Sequence, residues 1–185
     1  MTKLDLRAIT SKSIKTNVYL LLAAISYPED GVSYIDQADL RSKTAIAEYV
    51  TDVADYRTVK KSLDNLMSNG YLEHLPEHGV YRLNEDFSNV FVEVKPEKAD
   101  EMCRGHTNDQ NTLLLFLLDK TRYFKGKYTT TQGRLVEDAW ELSDNSQNRV
   151  RIKDDLNKLQ DLGKLKWRRV KRLGTYKIEI TDVHL

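Results

Sequence analysis

Six of the nine side chains at positions 164–172 are basic: Lys164, Lys166, Arg168, Arg169, Lys171 and Arg172, set around Trp167. The chemistry open to such a run is neutralisation of a polyanion. Each phosphate contacted by Lys or Arg releases condensed counterions, which gives affinity carrying little sequence information. A short way upstream, Asn148, Arg149, Arg151 and Lys153 bring a different capability. Arginine can bridge O6 and N7 of guanine and asparagine can pair with adenine, so these residue types presented together can read base edges. Tyr56, Arg57, Lys60 and Lys61, with Thr58 and Asp64, form a third set. For that set a solvated helix face accounts for the charges equally well, and the sequence leaves both readings open.

The other reactive side chains assemble less chemistry. Cys103 and His106 have a ligand-like separation, but two ligands without a second pair do not make a structural zinc site. His74 and His78 flank a turn and lack a carboxylate or cysteine at motif spacing. Glu137, Asp138, Glu141 and Asp144 follow one helix and turn, as a solvated or partner-facing surface does. Trp167, Tyr176, Tyr71 and Tyr81 fall on strand-like segments, where large residues pack across the sheet. The chain contains no Gly-rich phosphate loop, nucleophile elbow or paired-histidine motif. The expectation is a protein that is not an enzyme, with no catalytic residues, no metal and no cofactor.

Composition sets the surroundings. Of 185 residues, 40% are apolar and 31% charged, the balance of a globular protein with well-solvated helix faces. The longest apolar run, residues 113–118, is far too short for a bilayer. The first fifteen residues lack the apolar stretch of a secretory signal, and a single cysteine, Cys103, excludes an intramolecular disulfide. A cytoplasmic protein without membrane contact is expected. The net charge of +1 hides an asymmetry: ten basic side chains face thirteen acidic ones in residues 1–92, three face five in 93–110, and sixteen face ten in 111–185. A localised basic footprint therefore sits in the C-terminal part.

The elements that must hold these side chains recur. Placing Gly70 on Gly163, an offset of 93, brings Leu63, Leu66 and Leu72 onto Leu156, Leu159 and Leu165, and Val59 onto Ile152. Upstream, the apolar stretch from Asn17 meets the one from Asn111 at an offset of 94. In the first copy the pattern predicts a buried helix over residues 17–26 and a helix over 43–50. A polar break follows, with Asp55 as cap, then a third helix with Val59, Leu63, Leu66 and Met67 inward that ends at Asn69-Gly70. Strand-like residues 71–75 and 80–83 flank a turn at 76–79. The second copy predicts helices near residues 112–120, 132–142 and 148–162, then strands over 164–170 and 175–181. Thr129 to Thr131 cap the middle helix of that copy. Phe87 to Gln110, with Pro96, Gly105 and many charges, reads as a linker or short exposed element.

The third-helix segments, residues 57–72 and 150–165, each run through Leu-x-x-Leu and a glycine into a strand, with Gly79-Val80-Tyr81 and Gly174-Thr175-Tyr176 beyond. In this the chain resembles the winged helix-turn-helix family over most of its length. The resemblance implies a mainly α fold with small β-hairpin wings, α+β in class. Two tandem domains would occupy residues 1–92 and 111–185, joined by a linker at 93–110. Plasmid or phage replication initiators, replisome organisers and bacterial transcription regulators are similar in build. The family reads DNA with the exposed face of the third helix and with the wing. Carried onto this chain, that implies contacts from Tyr56, Arg57, Lys60, Lys61, Asn148, Arg149, Arg151, Lys153, Lys166, Arg168, Arg169, Lys171 and Arg172. The expected function is sequence-specific binding of double-stranded DNA in replication initiation or transcription regulation, with a homodimer or a replication or transcription protein as further partner. The alternative is a protein–protein interaction module, because Glu48, Asp52 and Asp55 near the first helix-turn-helix would repel phosphate.

Overall fold

The computed structural model describes residues 2–5, 17–26, 34–36, 56–84 and 91–185. The chain combines helices with small antiparallel sheets and divides into two compact units, Met1–Asn111 and Thr112–Leu185. No described helix is long and apolar enough to cross a membrane.

In the first unit, strand β1 (Thr2–Asp5) is followed by helix α1 (Asn17–Ser26). Leu20, Leu21, Leu22 and Ile25 of α1 are buried, as its unbroken apolar run requires. Strand β2 (Tyr34–Asp36) comes next. The expected helix at residues 43–50, the break after it and the cap at Asp55 lie outside the described residues. Helix α2 (Tyr56–Ser68) turns Val59, Leu63 and Leu66 inward at the expected spacing. Its end is a Schellman closure. The Gly70 amide donates to the Met67 carbonyl at 2.9 Å, and the Tyr71 amide donates to that of Leu66 at 2.8 Å. That closure needs a left-handed residue, and Gly70 supplies it at φ +75°. Strands β3 (Leu72–Leu75) and β4 (Val80–Leu83) form a hairpin, and β2 pairs with β4 to give the order β2-β4-β3.

Residues 93–110 are not the exposed linker that their charge suggested. Strand β5 (Phe91–Val94) pairs antiparallel with β1, from Thr2 opposite Val94 to Asp5 opposite Phe91. Helix α3 (Pro96–Gly105) buries Ala99, Met102 and Cys103 and packs against α1. Its charges line the outer side in helical pairs, Lys98 with Glu101 at 2.7 Å and Arg104 with Asp100 at 2.8 Å. The Pro96 and Gly105 that suggested a linker are the first and last residues of this helix, and proline suits a first turn, where its missing N–H costs nothing.

Helix α4 (Asn108–Tyr123) brings the chain into the second unit and buries Leu113 through Leu117. Strand β6 (Lys127–Thr130), helix α5 (Gln132–Trp140) and helix α6 (Ser146–Asp161) follow. Thr131 caps α5, its side chain accepting from the Arg134 amide at 3.2 Å. Its neighbours Thr129 and Thr130, expected as further caps, belong instead to β6, whose hydrogen bonds to a distant strand no local pattern reveals. Helix α6 buries Ile152, Leu156 and Leu159 and ends as α2 does. Gly163 is left-handed at φ +72°, and the Gly163 and Lys164 amides donate to Gln160 and Leu159, each at 2.9 Å. Strands β7 (Lys166–Arg172) and β8 (Thr175–Thr181) complete a sheet of order β6-β8-β7. In each of these two three-stranded sheets, the strand that precedes the hairpin pairs with the hairpin's second strand, which stands central.

Candidate nucleic-acid interface

Helix α6 presents its N-terminal turn with most polar groups already engaged. The Asn145 side chain caps it, accepting from the Asn148 amide at 2.9 Å, and Asn148 Nδ2 donates back to the Ser143 carbonyl at 2.9 Å. Arg149 grips Asp144 with two donors, Nε and Nη2, both at 2.5 Å. This fork holds the Asp144 carboxyl below its ordinary range and tightens the Arg149 proton. Asp144 in turn fills the space over Gly133 in α5, where a Cβ would collide with its carboxylate. The turn between the two helices is therefore locked by a Gly133–Asp144–Arg149 contact. Arg151 lies over the Trp140 ring, 5.4 Å from its centroid, and Nη1 approaches Asn148 Oδ1 at 3.4 Å. Of the four side chains expected to read bases, three are thus bonded within the turn and helix. Lys153 is exposed, and among the described residues no carboxylate pairs with it.

The hairpin sorts its basic residues by face, because alternate strand residues point to opposite sides. Lys166, Arg168 and Arg172 share one side with Glu179, which stands directly opposite Arg168 in the register. Glu179 has only 5% of its side chain exposed and collects Lys127 at 2.6 Å, Arg168 at 2.6 Å and Arg172 at 3.7 Å. Hydrogen bonds first from Lys127 and then from Arg168 hold its carboxyl below the ordinary range. Lys166 pairs with Asp182 at 2.8 Å, which raises its pKa. This side of the hairpin neutralises much of its own charge. Lys164, just before the strand, is buried. On the other side lie Trp167, Arg169 and Lys171 with Tyr176. The Arg169 guanidinium stacks 4.1 Å from the Tyr176 ring centroid, and the Lys171 ammonium lies 5.8 Å from it. Trp167 packs half-buried with Nε1 donating to Asn157 at 3.2 Å, whereas Tyr176 is 55% exposed and packs on the sheet face against Arg169 and Lys171. It holds two cations where a buried ring would have held apolar neighbours.

Between α6, the start of α5 and this second side of the hairpin opens a groove of about 520 Å³, with Arg149, Lys153, Trp167, Arg169, Tyr176 and Lys177 among its walls. Cations and aromatic faces line it together.

In the first unit, Arg57, Lys60 and Lys61 are exposed on α2, opposite its buried stripe. Tyr56 begins that helix, and its side chain lies outside the described residues. The hairpin beside α2 offers little positive charge: Arg82 is bound to Glu73, and exposed His74 stacks on Tyr81 with centroids 4.6 Å apart. Cys103 and His106, the ligand-like pair, are buried, and His106 Nδ1 lies 3.1 Å from Asn111 Oδ1. Among the described residues no group of three or more His, Cys, Asp or Glu side chains converges to hold a metal ion.

Of the groove's cations, Arg149, Lys153 and Arg169 were legible in the sequence and Lys177 was not, and neither were the pairings of the two acids, Asp144 and Glu179, that sort the charges. The signal for Asp144 was its position five residues before Arg149, across a helix start. For Glu179 the signal existed only in the strand register. No protein-family model, curated protein or solved structure matches the chain.

Proposed function

We propose that the chain is a tandem winged helix-turn-helix protein that binds double-stranded DNA through its second unit, as a replication initiator or transcription regulator. The strand order common to the two three-stranded sheets, each with the second hairpin strand central, supports the winged-helix reading. The observation that carries the DNA reading is the groove between α6 and the hairpin, with Lys153 and Arg169 in its walls, Lys171 on the same side of the strand as Arg169, and no described acid set against them. Helix α6 would lie in the major groove, and the side of the hairpin that carries Arg169 and Lys171 would follow the phosphates. Arg149 and Asn148 then act first by fixing the angle between α5 and α6. The first unit has an exposed basic face on α2 but an internally paired hairpin, which favours a second subunit or a replication or transcription protein as its partner.

The test is duplex binding measured by fluorescence anisotropy across a salt series. Replacing Lys153, Arg169 and Lys171 by Ala should weaken binding to every duplex and flatten the salt slope by about 0.9 for each phosphate no longer neutralised. Replacing Lys166, Arg168 and Arg172 instead should do less, because those side chains answer to Glu179 and Asp182. Unchanged binding in the first triple variant would overturn the proposal.

A further inference from the structure

At the tip of the second hairpin, Leu173 is fully exposed to solvent. It also holds a left-handed backbone, φ +49°, followed by Gly174 at +77°. Two consecutive left-handed residues make the tight two-residue turn that matches strand twist, and Asn or Gly normally occupies the first position. Leucine there opposes both the conformational preference of a branched L-residue and the aversion of apolar surface for water. The other left-handed non-glycine positions among the described residues, Lys125, Glu141 and Asp182, are polar. Leu173 alone among them is unfavourable in both respects.

The arm carrying it projects from the sheet. Strand β6 covers β8 only from Ile178 to Thr181, whereas β7 stays paired out to Arg172 opposite Thr175. Three residue pairs therefore extend beyond the third strand, about 10 Å of ribbon. Tyr176, clasped by Arg169 and Lys171, stiffens this ribbon. Over its full seven residues the hairpin measures about 23 Å. That exceeds the roughly 17 Å half-turn of duplex between a major groove and the neighbouring minor groove.

We infer that Leu173 is a wedge for the minor groove: with α6 in the major groove, the tip enters the adjacent minor groove and parts a base step, bending the duplex. A two-residue turn is narrow enough for a groove about 6 Å wide. Apolar side chains inserted between base steps unstack and kink DNA in this manner, and the exposed leucine then gains the apolar surroundings it lacks in the free protein. This inference rests on the DNA-binding reading above.

Leu173→Asn and Leu173→Gly suit the turn better than leucine, so neither variant should be lost to misfolding. With the full chain, anisotropy reports affinity for a selected duplex, and energy transfer between dyes at the duplex ends reports bending. The wild-type protein should bend the duplex and favour a pyrimidine–purine step beneath the tip, the kind most easily unstacked. Both variants should melt no lower than wild type, bind about tenfold more weakly, bend less and lose the step preference. Wild-type-like affinity, bending and step preference in both variants would overturn the inference while leaving DNA binding standing. A wild-type chain that binds no duplex would overturn both.

Discussion

The two hairpins sit at the same place in their units and differ in length and charge. The first has strands of four residues, a four-residue turn and one cross-strand ion pair, Glu73 with Arg82. The second has strands of seven residues, a two-residue turn, and five cations on its first strand distributed over two sides. What the units share is interior: the leucine ladder of the third helix and the glycine that closes it with the same pair of hydrogen bonds. The likeness lies in the core and the helix ends, where one change of shape is costly, while a hairpin in solvent is free to lengthen and change charge.

The interior half of that comparison is tested by Leu63→Ala and Leu156→Ala, at matched positions with 5% and 0% exposure. Each should cost about 2–5 kcal/mol in denaturant melts, and a negligible loss at either site would break the equivalence. Gly133→Ala tests the lock peculiar to the second unit. A methyl there meets Asp144, which Arg149 holds in place, so we expect a loss of about 1–3 kcal/mol. Removing the carboxylate with a second change, Asp144→Ala, should return part of it, a coupling that additive behaviour would disprove.

The hairpins should also differ in acid. Glu179 is held below its ordinary value of 4.5, so its stabilising contribution is complete above that pH and is lost as the pH falls through its folded pKa. Asp144 adds a loss of the same sign below its ordinary 3.8. Thermal melts at descending pH should show the second unit weakening, and Glu179→Gln should flatten the dependence while lowering stability at neutral pH. An undiminished slope in that variant would place the acid sensitivity elsewhere. The smallest effect belongs to the first hairpin: the Glu73–Arg82 pair is about half exposed on both sides, and Glu73→Ala should cost between about 0 and 1 kcal/mol by melting.

Much of the frame was legible in the residues. The inward faces of α2 and α6, the two closing glycines and the hairpin turns follow from period and local backbone chemistry, which act over a few neighbouring positions. The short strands β1, β2, β5 and β6 were not legible. Each is three or four residues long and is a strand only because a distant segment completes its hydrogen bonds. For a related reason residues 93–110 read as a linker. The charges of Glu97, Lys98, Asp100, Glu101 and Arg104 mask the buried stripe of Ala99, Met102 and Cys103, and the helix that covers this stripe, α1, lies far earlier in the chain.

By itself the sequence determined where the cations are, how many there are and which helix and hairpin carry them. It could not determine which of them are available. That was decided when folding set Asp144 against Arg149 and Glu179 between Lys127, Arg168 and Arg172, leaving Lys153, Arg169 and Lys171 on the other side. Charge is a property of a residue, but its neutralisation depends on distance, and those distances exist only between parts of the chain that folding brings together.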